Sequence, residues 1–154
     1  MKERDPPPSA ERSALMSRVR GKNTKPELVV RSLVHRLGYR FRLHRRDLPG
    51  SPDLIFPRLR KAVFVHGCFW HRHDGCSRTT TPKTRAAYWH AKFKRNIERD
   101  EEAVNALKAK GWSVLVVWEC ETKDVDALAI KLQEFLRASL SEEKGGSAIQ
   151  CSAK

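Results

Sequence analysis

A chain of 154 residues is the size of one ordinary domain and can bury a core without covalent staples, and its 31 Lys+Arg against 18 Asp+Glu leave a formal charge of +13. An excess of that size favours a polyanion through counterion release, so nucleic acid is the leading partner, whereas the want of a lipidation signal, an apolar leader or a bilayer-length run argues against a membrane. The chain reads as cytoplasmic, and four cysteines in a reducing compartment point to thiol chemistry rather than disulfides.

Residues 1–10, with three prolines in a row, read as a mobile arm. A single domain is expected over 11–140 and a loosely anchored tail, carrying Cys151, over 141–154. Glu11 to Val19 suits a short basic helix whose Met16 is either packed or free to reach nucleic acid. Thr24-Lys25-Pro26-Glu27 is a helix start, with Thr24 as N-cap, Pro26 in the first turn and Glu27 at the reciprocal position of a capping box. Leu28, Val30, Leu33, Val34 and Leu37 give that helix its apolar face, and Gly38 ends it.

Tyr39 to His44 alternates apolar and basic residues, predicting a half-buried strand. The turn Pro49-Gly50-Ser51-Pro52 leads to a second strand from Asp53, and a third follows over Ala62 to Val65. Pro82 to Lys110 reads as a long helix with Tyr88, Phe93, Ile97, Val104 and Leu107 inward. Trp112 to Glu119 is an apolar run suited to a central strand buried on both faces, and Asp124 caps a last helix over Val125 to Leu140. This order predicts an α/β fold with a mixed central sheet flanked by helices.

The third strand passes into His66-Gly67-Cys68-Phe69-Trp70-His71-Arg72-His73-Asp74-Gly75-Cys76, where two cysteines and three histidines lie within eleven residues. Cys68, His73 and Cys76 supply three soft ligands, and Cys120 can complete a tetrahedral, closed and therefore structural zinc site; buried thiols beside a solvated histidine are the alternative. Pro52-Asp53 opening a strand beside one that ends at His66 is the layout of the PD-(D/E)xK nucleases, in which a carboxylate holds Mg2+. Phe64-Val65-His66 stands where an acid and a lysine would be, so imidazole must replace the basic function. His71, outside the zinc set, is the candidate general base, and Asp100 can orient His66 or be solvated. Phe69 and Trp70, with Trp89, are either wedges for a base stack or packing for the loop.

Met16 to Thr24, Lys25-Pro26-Glu27, Pro52-Asp53, His66 to His71, Asn96-Ile97-Glu98-Arg99-Asp100 and Val117-Trp118-Glu119-Cys120 together resemble the very-short-patch repair (Vsr) DNA mismatch endonucleases. The resemblance runs from about Glu11 to Leu136. It implies a restriction-endonuclease-like core and a Mg2+-dependent nick 5′ to the thymine of a T:G mismatch in double-stranded DNA, by a monomer whose product passes to a repair polymerase and ligase. It further implies Asp53 and the Val65 backbone carbonyl as Mg2+ ligands, Glu27 holding water on that ion, His71 as general base, and His66 with Asp100 as a supporting pair near the cleaved phosphate. Phe69, Trp70 and Trp89 would enter the stack from the major groove and Met16 from the minor groove, while Cys68, His73, Cys76 and Cys120 would hold Zn2+. Val65 departs from the threonine of the family pattern, as does the segment between His71 and Cys76. A restriction-type nuclease acting on fully paired DNA and a non-catalytic zinc-stabilised binding module are the rival readings.

Overall fold

The computed structural model describes residues 9–11 and 23–138. Met16, Cys151, the first eight residues of the expected N-terminal arm and the expected tail over 141–154 lie outside those residues. Helix α1 (Lys25–Arg36) begins at Thr24, whose hydroxyl accepts the Glu27 N–H. Glu27 reaches one residue further back than a capping box requires, accepting the Asn23 N–H at 3.0 Å. Its face is narrower than the periodicity predicts: Val30, Leu33 and Val34 are buried, but Leu28 is half exposed.

Strands β1 (Arg42–Leu43), β2 (Leu54–Phe56), β3 (Lys61–His66) and β4 (Ser113–Trp118) form one sheet in the order β1-β2-β3-β4. The first two junctions are antiparallel and β3 pairs parallel with β4, so the sheet is mixed. A parallel pair needs a crossover, which helix α2 (Ala86–Ala109) supplies. A 3-10 turn (Glu119–Lys123) and helix α3 (Val125–Arg137), capped by Asp124, close the described chain.

The pleat sorts alternate residues to opposite faces. Leu54, Phe56, Val63 and Val117 pack with Val30, Leu33 and Val34 of α1 and Leu128, Leu132 and Leu136 of α3. On the other face Ile55, Ala62 and Phe64 meet Ala103 and Leu107 of α2, with Leu48 and Trp112. Helices therefore cover both sides of the sheet. By the same alternation His66 falls on the α2 face, with Phe64 and Ala62.

Four expectations need correction. β1 is two residues long, because the backbone at His44 turns left-handed (φ +47) and ends the extension that Tyr39 to His44 predicted. Among the described residues β4 lies at a sheet margin rather than at its centre; its apolar run is explained by helices on both faces, with Val114 and Val116 on the α2 side and Leu115 and Val117 on the side of α1 and α3. Helix α2 starts at Ala86, after Arg85 in the left-handed region, and Tyr88 and Ile97 point outward. Its inward stripe is Trp89, Phe93, Ala103 and Leu107. Helix α3 stops at Arg137, short of Leu140.

Gly50 holds the loop before β2 against α2. Its φ is +72, and a Cβ there would lie 2.5 Å from the Ala103 side chain, so a side chain is barred twice over. Lys61, buried at the start of β3, donates to the carbonyls of Phe135 and Ala138 and so ties the end of α3 to the sheet.

Candidate active site and metal centres

Because β2 runs antiparallel to β3, with Leu54 opposite Val63, the start of β2 lies beside the end of β3. Asp53 is thereby brought against the last residues of β3, and its Oδ2 accepts the Val65 N–H at 2.7 Å. Glu27 from α1 and His44 from the loop after β1 converge on the same point. Their ligand atoms and that of Asp53 lie within 4.8 Å of one another. Glu27 is 4% exposed and Asp53 16%. Burial first, and then the neighbouring Glu27 carboxylate, push the Asp53 carboxyl up to about 6, against the counter-pull of the Val65 N–H, His71 and Arg31. Two carboxylates crowded out of water in this way suit a hard divalent cation such as Mg2+, whose charge would offset both the burial and their mutual repulsion.

On the other side of Val65 two histidines share one carboxylate. His71 Nδ1 is 2.6 Å from Asp100 Oδ2, while His66 Nε2 stands 4.0 Å from Asp100 Oδ1. Asp100 therefore hydrogen-bonds His71 and keeps His66 at the longer distance, so the carboxylate expected beside His66 serves both rings. The His66 ring stacks on that of His71, with centroids 3.9 Å apart and planes 6° from parallel. Burial, reinforced by the neighbouring His71 and opposed by Asp100, lowers His66 to about 4, so it is neutral at physiological pH. An imidazole whose Nδ1–H donates to a carboxylate is left with Nε2 as its free base, the orientation a general base needs.

Cys68, His73, Cys76 and Cys120 also place their ligand atoms within 4.8 Å of one another. His73 Nδ1 lies 3.7 Å from the Cys68 sulfur and 3.4 Å from that of Cys120. A tetrahedral zinc with ordinary Zn–S and Zn–N bonds sets such separations near ~3.6 Å, so the residues fit that ion. The three sulfurs are free thiols rather than disulfides. Burial pushes the Cys68 thiol up to about 12 and raises Cys120, whereas the Arg78 backbone N–H lowers Cys76. A bound dication would reverse the first two effects and hold all three as thiolates. Cys120 sits in the 3-10 turn, just past the strand end where the sequence placed it.

The loop between the two centres is held by contacts the sequence reading missed. Thr79 donates to the carbonyls of His73 and Cys68, and Asn96 donates to the Trp70 carbonyl. Arg72, in the left-handed region, binds the carbonyls of Phe69 and Thr80 and lies 4.1 Å above the Phe93 ring. Phe69 and Trp70 are partly exposed. Trp89 is buried and meets both in the aromatic cluster, with Phe93 against Phe69. Trp118 stacks on His73 at 4.3 Å and turns its edge to His66 at 5.4 Å, so one indole touches both centres.

The inward position of Asp100 agrees with the helical period of α2. Trp89, Phe93, Asn96, Asp100, Ala103 and Leu107 recur at spacings of four and three, which puts Asn96 and Asp100 on the buried stripe of α2 rather than its charged face. His44 and Arg31 gave no such signal.

The family model for the DNA mismatch endonuclease Vsr matches residues 5–78. The type II nicking enzyme V.XorIIP of Xanthomonas oryzae pv. oryzae is 54% identical over 83% of this chain and 93% of its own length. The DNA mismatch endonuclease Vsr of Escherichia coli is 37% identical over 82% of this chain and 84% of its own. The type II nicking enzyme V.NmeAIP of Neisseria meningitidis is 35% identical over 84% and 91% respectively.

Proposed function

The chain belongs to the Vsr family of DNA mismatch endonucleases, and from that premise we propose that it nicks double-stranded DNA 5′ to the thymine of a T:G mismatch by Mg2+-dependent hydrolysis, opening a very short repair patch for a polymerase and ligase. The observation that carries the mechanism is the convergence, at one end of β3, of the buried Asp53–Glu27 carboxylates with an Asp100-oriented His71.

In this reading Asp53 and the Val65 carbonyl would hold Mg2+ and Glu27 would hold water beside it, and the ion would supply charge stabilisation at the scissile phosphate and a more acidic water. His71 accepts the proton of the attacking water at Nε2, and Asp100 stabilises the imidazolium that results. His66, uncharged because it is buried, can stack on that ring without adding a second positive charge. Phe69 and Trp70 enter the base stack beside the mismatch, backed by Trp89. Unstacking a step costs roughly a few kcal/mol and least where pairing is already faulty, which makes the wedge a mismatch detector. Met16 would approach from the minor groove. Cys68, His73, Cys76 and Cys120 would hold Zn2+, which would fix the shape of the loop bearing both the wedge and His71.

A nicking assay tests this: duplexes identical except for T:G, other mismatches or full pairing at one position, incubated with Mg2+ and resolved on denaturing gels. The expected product is a single nick 5′ to the mismatched thymine. Equal cleavage of the fully paired duplex would instead favour a restriction-type activity, and no cleavage of any duplex a binding module.

A further inference from the structure

Arg31 lies one helical turn after Glu27 on α1, and the hydrolytic chemistry above makes no use of it. Its Nη2 donates to Glu27 Oε2 at 3.1 Å and to His44 Nε2 at 3.0 Å. The side chain is only 15% exposed. Its Nε is buried without a hydrogen-bond partner among the described residues. Hydrogen bonding alone therefore accounts poorly for a guanidinium at this place; the nearby carboxylates account for it well. His44 extends the contact. By accepting from Arg31 at Nε2 it keeps its proton on Nδ1, which faces Asp53 Oδ1 at 3.9 Å. The left-handed backbone at His44, unusual for a residue with a side chain, belongs to the loop that presents this ring.

We infer that Arg31 is a resident cation of the metal centre: it neutralises Glu27, and through His44 positions Asp53, until a divalent ion arrives, and it competes with that ion for Glu27. This rests on the reading of Asp53 and Glu27 as the Mg2+ site. Arg31 is thus a positioning residue that holds the two carboxylates together in the metal-free protein and lowers the affinity of the ion that replaces it.

Mn2+ is the probe, its free fraction followed by electron paramagnetic resonance, with thermal melting in metal-free and Mn2+ buffers. A unit charge within several ångströms of the ion, even at an effective dielectric near 20, changes binding on the order of tenfold or more. Arg31→Gln should therefore bind Mn2+ on the order of tenfold or more tightly than the wild type while melting lower without metal, so its Mn2+-induced rise in Tm is larger. Arg31→Lys, which keeps the charge, should stay close to the wild type in both. A merely structural role predicts weaker binding together with lower stability, and unchanged or weaker Mn2+ binding by Arg31→Gln overturns the inference. Should that variant not fold, the wild type labelled with 15N-arginine gives the answer directly. Its Arg31 side-chain resonances must move on Mg2+ saturation, and their staying put also overturns it. An Asp53→Asn variant that binds Mn2+ as tightly as the wild type would remove the metal-centre reading itself, a separate failure.

Discussion

Asp53→Asn is expected to abolish nicking and yet to stabilise the metal-free protein. Asparagine has nearly the same shape and retains a carbonyl oxygen to accept the Val65 N–H, so the 2.7 Å contact survives while the charge is removed. In the native protein the Asp53 carboxyl is raised from 3.8 to about 6, chiefly by burial. A carboxyl raised in the folded state takes up protons more readily than in the unfolded chain. Its ionisation therefore costs nothing below about pH 4, costs progressively more between about 4 and 6, and carries its full penalty at neutral pH. At about 1.4 kcal/mol for each pH unit between the two values, that penalty is about 3 kcal/mol at most. Chemical denaturation in Mg2+-free buffer at pH 7.5 should show Asp53→Asn more stable than the wild type by about 1–3 kcal/mol, and the gap should close by pH 4. Mg2+ should then raise the stability of the wild type and leave the variant unmoved. A variant no more stable than the wild type at pH 7.5, or a gap that does not shrink on acidification, would refute the account of this site as two carboxylates awaiting a cation.

The histidines of the loop should separate by role. His71→Ala is expected to lower the nicking rate by about 10²–10⁴ with an unchanged melting profile, whereas His73→Ala should release zinc and lower stability; matched losses of folding in both variants would undo the division. Lys61→Met removes the donor to the Phe135 and Ala138 carbonyls and is expected to cost about 1–3 kcal/mol. Hydrogen exchange should localise that loss to the last turn of α3, and undiminished protection there would show that Lys61 does not hold the helix end.

Local chemistry carried much of the architecture. The N-cap at Thr24, the turn from Pro57 to Arg60 and the soft residues at 68, 73 and 76 are short-range signals, and the first helix, the β2–β3 hairpin and the four-ligand cluster follow from them. Adjacency in the sheet also followed, because two strands joined by a short turn must bring Asp53 beside the end of β3. What did not follow depended on long-range packing. A run such as Val114 to Val117 looks central, and only the placing of α2 on one face and of α1 and α3 on the other reveals that helices, rather than further strands, cover it. The choice of His71 over His66 as the hydrogen-bond partner of Asp100 depends on how far along α2 the aspartate lies when the helix docks, a matter of a few ångströms that periodicity does not measure. The link from Arg31 through His44 required a left-handed residue where neither Gly nor Asn stands to announce one. Lys61 was hidden for a similar reason: a charged side chain at a strand start reads as solvated until the helix end above it is placed.

The end of β3 behaves as a ruler. Val65 meets the carboxylate side, His66 the imidazole side, and Cys68, two residues further, the thiol cluster, so three chemistries are indexed to one stretch of backbone. A slip of one position along β4 would exchange the faces of Val65 and His66 together and displace the start of the loop that carries Cys68. Each centre can still be tuned by the residues that approach it from α1, α2 or the 3-10 turn. None can be moved alone along the strand.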